Sequence, residues 1–261
     1  MRILITSGGT KIMLDSVRHI GNMSKGTFGS AICKEFLERF HHVDFLMAEG
    51  SKTPFTFTTT PNSLSKNDCY RMENEFEEWL DFAKDASPFY HECKYKTFDD
   101  YKFEIERLLK NNKYDMVILA AAVSDFGVEN VVNGKIRSGG DMEIKLKALP
   151  KIISEIKKWQ PNTFLVGFKL LVNSNENELI QDAKLSIEKN GCDVVVANDL
   201  RDIRANNHKL FIVMQEEDCD KKQYFIVVER TKDESERNCS TLAGSLVDTL
   251  IDSYNRKNKI V

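Results

Sequence analysis

The sequence lacks any apolar run approaching the ~20 residues that a membrane-spanning helix requires. Its start, Met1-Arg2-Ile3-Leu4-Ile5, passes at once into Thr6-Ser7-Gly8-Gly9, without the apolar stretch and cleavage site of a secretory leader. An excess of either charge is missing too: 37 Lys and Arg stand against 40 Asp and Glu, a formal net charge of -3. Such a chain has no global attraction to nucleic acid or to an anionic membrane, so neither is expected as a partner. Any phosphate it binds must be held by a local site. The six cysteines (Cys33, Cys69, Cys93, Cys192, Cys219, Cys239) form no C-x-x-C pair. Scattered thiols speak against a disulfide framework or zinc knuckle, and the expected setting is the reducing cytoplasm. The Walker spacing and a full G-x-G-x-x-G are absent, so no standard kinase or dinucleotide fingerprint is present.

What is present is 41% hydrophobic residues, sufficient for a core. They fall in short continuous runs at 2–6, 43–47, 116–123, 164–170 and 194–197, alternating with amphipathic stretches at 27–40, 101–111, 151–158 and 178–189. That alternation predicts an α/β fold: a Rossmann-like parallel sheet with helices on both faces. Two regions break the rhythm. Residues 51–90 hold Pro54, threonines at 58–60, Pro61 and an acidic, aromatic stretch, and read as a surface insertion with one helix. Residues 127–147, with Gly134, Gly139 and Gly140, read as a β-ribbon flap. Runs at 209–214 and 223–228 around the polar turn 216–222 predict a C-terminal antiparallel pair, and a helix over 240–254 closes the chain. With no repeat and no dividing linker, residues 1–261 are expected to form a single domain.

Five constellations are able to carry chemistry. Ser7-Gly8-Gly9-Thr10 follows the first strand, where glycine permits positive φ and close approach of a ligand to the backbone. Asn22-Met23-Ser24-Lys25-Gly26-Thr27-Phe28-Gly29 leads into a helix whose N–H groups suit a phosphate. An ordinary turn and N-cap is the competing reading of both. Ala120-Ala121-Ala122-Val123-Ser124-Asp125 ends the central strand, where ligands of open α/β sheets bind, and Asp125 is placed for a sugar hydroxyl or Mg²⁺. Lys135, in the flap, is either a solvated charge or a counter-charge for a phosphoryl group. Gly167-Phe168-Lys169 and Ala197-Asn198-Asp199 end two more strands on the same edge. Two patterns are decoys: Tyr90-x-x-x-Lys94 has the spacing of a short-chain dehydrogenase but precedes the central strand, and His41-His42 lacks a metal-ligand partner.

In order along the chain, Thr6-Ser7-Gly8-Gly9-Thr10, Leu14-Asp15-Ser16-Val17-Arg18, Asn22-x-Ser24-x-Gly26-x-x-Gly29, Ala121-Ala122-Val123-Ser124-Asp125, Lys135-Ile136, Pro150-Lys151-Ile152-Ile153, Gly167-Phe168-Lys169-Leu170 and Ala197-Asn198-Asp199 resemble the phosphopantothenoylcysteine synthetase family. The resemblance covers nearly everything outside 51–90 and points to the stand-alone bacterial form. It implies a two-step ligation. The carboxylate of 4'-phosphopantothenate attacks the α-phosphorus of a nucleoside triphosphate, giving an acyl-nucleotidylate and pyrophosphate; the amine of L-cysteine then displaces the nucleoside monophosphate. It further implies catalytic roles for Asn22, Lys135 and Arg18, with Arg18 on a loop that closes over substrate. Gly8, Gly9, Ser24 and Gly26 become the phosphate cradle; Ala120, Ala121, Asp125, Phe168, Lys169 and Asn198 become nucleotide and intermediate contacts. Mg²⁺ is implied, without assigned ligands, and so is a homodimer. Ser186 and Asn190 stand where fused bacterial enzymes carry lysines near the triphosphate, with Lys169 and Lys189 as substitutes. CTP is the expected nucleotide and ATP the alternative. Two other classes stay open: an NAD(P)-dependent Rossmann-type reductase, for which Glu49 is the candidate ribose-binding acid, and a non-catalytic nucleotide-binding module.

Overall fold

Short, wholly apolar runs become the inner strands of one sheet, because a strand covered on both faces has no polar side to present. The computed structural model describes residues 1–57, 66–204, 209–214, 224–229 and 239–259. The chain opens with β1 (Arg2–Ser7), a small hairpin of β2 (Lys11–Met13) and β3 (His19–Gly21), helix α1 (Thr27–Glu38) and β4 (His42–Ala48). It continues through α2 (Lys66–Ala86), β5 (Tyr90–Tyr95), α3 (Phe98–Asn111) and β6 (Met116–Leu119) to a ribbon of β7 (Phe126–Val128) and β8 (Leu146–Ala148). Then come α4 (Ile153–Trp159), β9 (Phe164–Leu171), α5 (Glu176–Asn190) and β10 (Val194–Asp199). The last elements are α6 (Leu200–Arg204), β11 (Lys209–Met214), β12 (Tyr224–Glu229) and α7 (Cys239–Lys257).

Eight strands form one sheet in the order β12-β11-β10-β9-β6-β1-β4-β5. The six from β10 to β5 run parallel, and β11 and β12 join antiparallel at one edge. Alternate side chains feed two cores. Ile3, Ile5, Phe36, Phe45, Ile118, Val166 and Leu246 pack on the face carrying α1 and α7, while Leu4, Tyr101, Ile105, Val117, Leu165 and Ile187 pack on the face carrying α3, α4 and α5. The chain leaves β1 outward for β4 and β5, then returns to β6 on the other side, so a switch point lies between the carboxyl ends of β1 and β6. The α/β class, the covered parallel sheet and the antiparallel C-terminal pair are as the sequence predicts.

Several details differ. The hairpin of β2 and β3 has three residues per strand, too few to leave a readable period. The run at 116–123 is strand only to Leu119; from there the backbone turns off the ladder, and Ala122 N donates instead to Gly8 O. The flap pairs over three residues at its base, Phe126 opposite Ala148, and is otherwise loop. In the 51–90 segment, α2 is fastened by aromatic rings: Trp79 Nε1 donates to Phe55 O at 3.1 Å and Phe55 stacks on Phe82. That segment ends at Phe89, since Tyr90 already pairs with Val43 in the sheet. Threonines 58–60, Pro61 and the turn at 216–222 lie outside the described residues.

Candidate functional site

Two turns cross at the switch point. Gly9 bridges to Ala122, Ala122 N donates to Gly8 O at 2.7 Å, and Thr10 N returns a bond to Ala122 O at 3.2 Å. Buried hydroxyls stitch the crossing: Thr6 Oγ1 accepts from Ala121 N at 3.3 Å and Thr10 Oγ1 from Ser124 N at 2.9 Å. Asn22, at the foot of β3, donates Nδ2 to the same Ala122 O at 2.7 Å. An amide nitrogen carries two hydrogens, so the exposed Asn22 keeps one to offer outward.

The phosphate-type turn packs against this crossing because glycine occupies both contact points. Gly8 has φ 86°, and a Cβ there would lie 2.2 Å from Ser51 Oγ. Gly26 has φ 72°, and a Cβ there would meet Ser7 Oγ at 2.8 Å and Gly8 N at 3.3 Å. Either side chain would push the turns apart. Gly26 is also the N-cap of α1, which has no side-chain cap and no acidic residue in its first turn. By contrast α3 and α5 each carry a complete capping box, Thr97 with Asp100 and Asn175 with Glu178. The positive dipole end of α1 therefore begins beside the crossing with no side-chain cap and no acidic side chain in its first turn. Ser24 Oγ accepts from Gly26 N at 3.4 Å and shapes the approach.

Phe168, near the end of β9, meets Phe28 of α1 edge to face with centroids 6.2 Å apart, on the same sheet face as Ala120. Asn198 pairs in register with Leu170 and shares that face by strand alternation. Thus Gly8, Gly9, Asn22, Ser24, Gly26, Ala120, Ala121, Phe168 and Asn198 gather along one edge of the sheet. Five other residues behave differently from the sequence reading. Lys169 alternates to the opposite face and pairs with Asp182 of α5 at 3.3 Å. Asp125 is engaged by Lys151. Ser186 and Asn190, 3.1 Å apart in the last turns of α5, lie at the other end of a helix that starts beside Asp199. Fifteen residues of helix carry them about 20 Å from the crevice edge.

Arg18 is the fifth. It sits at the tip of the hairpin, about 13 Å along the ribbon from Asn22. Its Nη1 is held by Asp15 Oδ2 at 2.9 Å and by Ile136 O at 3.1 Å, so it is a tie between hairpin and flap and not a free arm. Burial opposes a charge on Asp15, but N–H bonds from Val17, Ile136 and Arg18, together with the Arg18 guanidinium, outweigh it and set the pKa at about 2. Lys135 lies exposed between two flap residues that contact this tip, with no partner of its own among the described residues. Sequence reasoning passed over Ser51; Thr6, Thr10 and Asp15 stood inside quoted motifs, but the bonds their side chains make are revealed only by the three-dimensional crossing.

The decoys resolve. Tyr90 and Lys94 both pair with Glu92, at 2.9 Å each, on edge strand β5. The His41 Nδ1 lies 3.2 Å from the N-terminal amine. Among the described residues, no three His, Cys, Asp or Glu cluster as a metal site, and no helix is long and apolar enough to cross a membrane.

Comparison with known proteins adds a family. The family model described as DNA/pantothenate metabolism flavoprotein C-terminal domain matches residues 1–76 and 101–234. The coenzyme A biosynthesis bifunctional protein CoaBC of Thermococcus kodakarensis is 35% identical over 212 residues, 81% of this chain and 44% of the relative. The phosphopantothenate–cysteine ligase of Mus musculus is 32% identical over 231 residues, 78% of this chain and 73% of the relative. The crystal structure of the DNA/pantothenate metabolism flavoprotein from Streptococcus pneumoniae superposes with a TM-score of 0.71 at 26% identity, covering 97% of this chain and 99% of that one. The chain spans less than half the length of the archaeal bifunctional relatives it matches.

Proposed function

The chain belongs to the DNA/pantothenate metabolism flavoprotein C-terminal domain family, and from that premise we propose that it is a phosphopantothenate–cysteine ligase acting in coenzyme A biosynthesis. One observation carries the reading: an amide donor, Asn22, is fixed on a backbone crossing at the sheet's switch point, beside a helix N-terminus with no side-chain cap. That arrangement suits a reaction in which two anions meet and charge develops on oxygen.

In the first step the carboxylate oxygen of phosphopantothenate bonds to the α-phosphorus and the bond to pyrophosphate breaks. The start of α1 beyond Gly26 and the glycine turn at Gly8-Gly9 hold phosphate oxygens, and Lys135 offsets phosphoryl charge from the flap. In the second step the cysteine amine attacks the acyl carbon and the nucleoside monophosphate leaves with the electron pair of its oxygen–carbon bond. Asn22 donates its remaining N–H to the acyl oxygen, where negative charge appears. Activation comes from the nucleotide, so no Ser, Cys or His nucleophile is required. Mg²⁺ bound to the triphosphate would neutralise the departing pyrophosphate; magnesium bound largely through substrate oxygens needs few protein carboxylates, which fits a crevice whose nearest candidate, Asp125, is paired with Lys151.

The reading extends to CTP as the preferred nucleotide with ATP as the alternative, to a cytoplasmic enzyme working as one domain, and to a homodimer. What supports the dimer is exposed apolar surface concentrated on hairpin and flap, where Val17 is 61%, Met23 81% and Val131 59% accessible. The test is pyrophosphate release from protein, phosphopantothenate, Mg²⁺ and each nucleotide, with and without cysteine. Release with CTP above ATP, dependent on phosphopantothenate, is expected; silence with every nucleotide rejects the ligase.

A further inference from the structure

Lys135 is exposed, yet both of its neighbours are immobilised. Ser16 N donates to Gly134 O at 2.9 Å, and Gly134 N donates back to Ser16 Oγ at 3.1 Å. On the other side, Ile136 N donates to Asp15 Oδ2 at 3.0 Å, and Arg18 Nη1 donates to Ile136 O at 3.1 Å. A further bond, Val132 N to Leu14 O at 3.1 Å, extends the seam. Asp15 is the hub: its side chain is fully buried, and besides Ile136 it accepts from Val17 N at 2.8 Å and from Arg18 N at 2.7 Å. The remainder of the flap contrasts with this seam, since a Cβ at Gly139 or Gly140 would meet nothing within 4 Å.

We infer that Asp15 is a positioning residue for Lys135: its buried carboxylate, with Ser16 and Arg18, clamps the peptide units on either side of that lysine and makes hairpin tip and flap a single body. The inference rests on the ligase reading only for the role of Lys135; the clamp itself is a property of the backbone. A free flap would present its lysine over many positions, whereas a clamped one delivers the ammonium in one direction, and misplacement by about 1 Å costs up to ~100-fold in a positioned reaction. The charge on Asp15 matters as much as its shape. An amide at this position would turn an NH₂ toward backbone N–H groups that now share two carboxylate oxygens.

The experiment is a double-mutant cycle in the full-length protein, using Asp15→Asn and Lys135→Ala, singly and together, in the pyrophosphate assay. Asp15→Asn alone is expected to lower kcat by ~10- to 100-fold with the KM for cysteine within ~2-fold of normal. In the Lys135→Ala background the same change is expected to cost less than ~3-fold, because the group it positions is gone. Equal factors in both backgrounds overturn the inference, since they mean Asp15 acts elsewhere or merely supports the fold. Should Asp15→Asn fail to fold, Ser16→Ala, on an exposed residue, removes only the bond from Gly134 N to the Ser16 hydroxyl, and the same non-additivity is expected at a smaller scale. Amide hydrogen exchange separates the two levels. Protection at Gly134 and Ile136 in the wild type, lost in the Asp15 variant, supports the clamp even if no ligase activity is found; unprotected amides at both positions sink it whatever the activity.

Discussion

Toward the amino end of the parallel strands, charged side chains are consumed by one another. Asp193 accepts from Lys157 at 2.7 Å, from Leu165 N at 2.6 Å and from Lys257, while Asp44 is met by Arg2 at 2.9 Å and His91 at 2.8 Å. Toward the carboxyl end, polar groups are fixed in place but left with capacity to spare. Asn22 has one N–H committed and one available, α1 begins without a side-chain cap, and Lys135 has no partner among the described residues. Both ends hang on the same buried strands, so the difference lies in what the turns do with their donors. A satisfied end adds stability; a poised end forgoes some of it and gains a place for a ligand, the usual relation between active sites and their scaffolds. The comparison holds only if damage at the two ends separates into lost chemistry and lost stability.

The largest separation is expected at Asn22. Asn22→Asp removes both amide hydrogens and sets a carboxylate against the Ala122 carbonyl, which Asn22 now meets at 2.7 Å. Under the proposed reaction, turnover falls by ~100-fold or more, the scale of losing one oxyanion-type donor. Because the residue is exposed, the thermal midpoint is expected to move by no more than ~3 °C. Near-normal pyrophosphate release would remove Asn22 from the chemistry, and a collapse of the midpoint would make it an ordinary brace of the fold.

The converse is expected at Asp193. Asp193→Asn leaves Lys157, only 22% accessible at its side chain, without its counter-charge. Loss of a partly buried, charge-assisted contact costs about 2 kcal/mol, or a thermal midpoint lower by ~4–8 °C for a chain of this size. Neither kcat nor KM should change by more than ~2-fold, because the site is a strand length away from the crevice. A stability loss without a kinetic one keeps the two ends distinct; a parallel loss of turnover breaks the comparison.

How much of this was legible beforehand follows the same division. Ile3–Ile5, Val117–Leu119 and Val194–Val196 announce themselves as buried strands because burial on both faces needs only apolar residues in series. The glycines at 8 and 26 were readable as turns, since no other residue tolerates their backbone angles so easily. What one dimension hides is which face a side chain joins and what crosses it. Lys169 follows Phe168 directly, yet alternation sends it to Asp182 on the far side of the sheet. Ser186 and Asn190 are near Ala197 in sequence, but a helix and a reversal put them at the other edge. Arg18 and Asp125 were visible as charges; that Asp15 and Lys151 already claim them depends on contacts between distant segments. Ser51 belongs to no motif, and Thr6 and Thr10, though inside one, contribute through hydroxyl bonds that exist only where two turns meet.

The smallest effect concerns acid, and its sign tests the account of the hairpin tip. Asp15 has a folded pKa of about 2 against 3.8 for the unperturbed group. Asp199 is also lowered: N–H bonding from Ser174 leads, burial opposes it, and Arg201 and Asn173 add further N–H bonds. A depressed carboxyl contributes stability that is fully present above its unfolded pKa and is lost as pH falls through its folded value. Between pH 5 and 8 both groups are therefore charged in either state, and no pH dependence of stability is expected from them. The window opens near pH 4 and closes near pH 2. Urea unfolding of the wild type and of Asp15→Asn, compared at pH 7, 4, 3 and 2, is expected to show a constant gap in midpoint down to about pH 4 that narrows toward pH 2, where the wild-type carboxyl takes up its proton. A gap that widens with acid would mean that burial, not the ring of N–H donors, governs Asp15; the seam between hairpin and flap would then rest on backbone bonds alone, leaving the carboxylate no part in aiming Lys135.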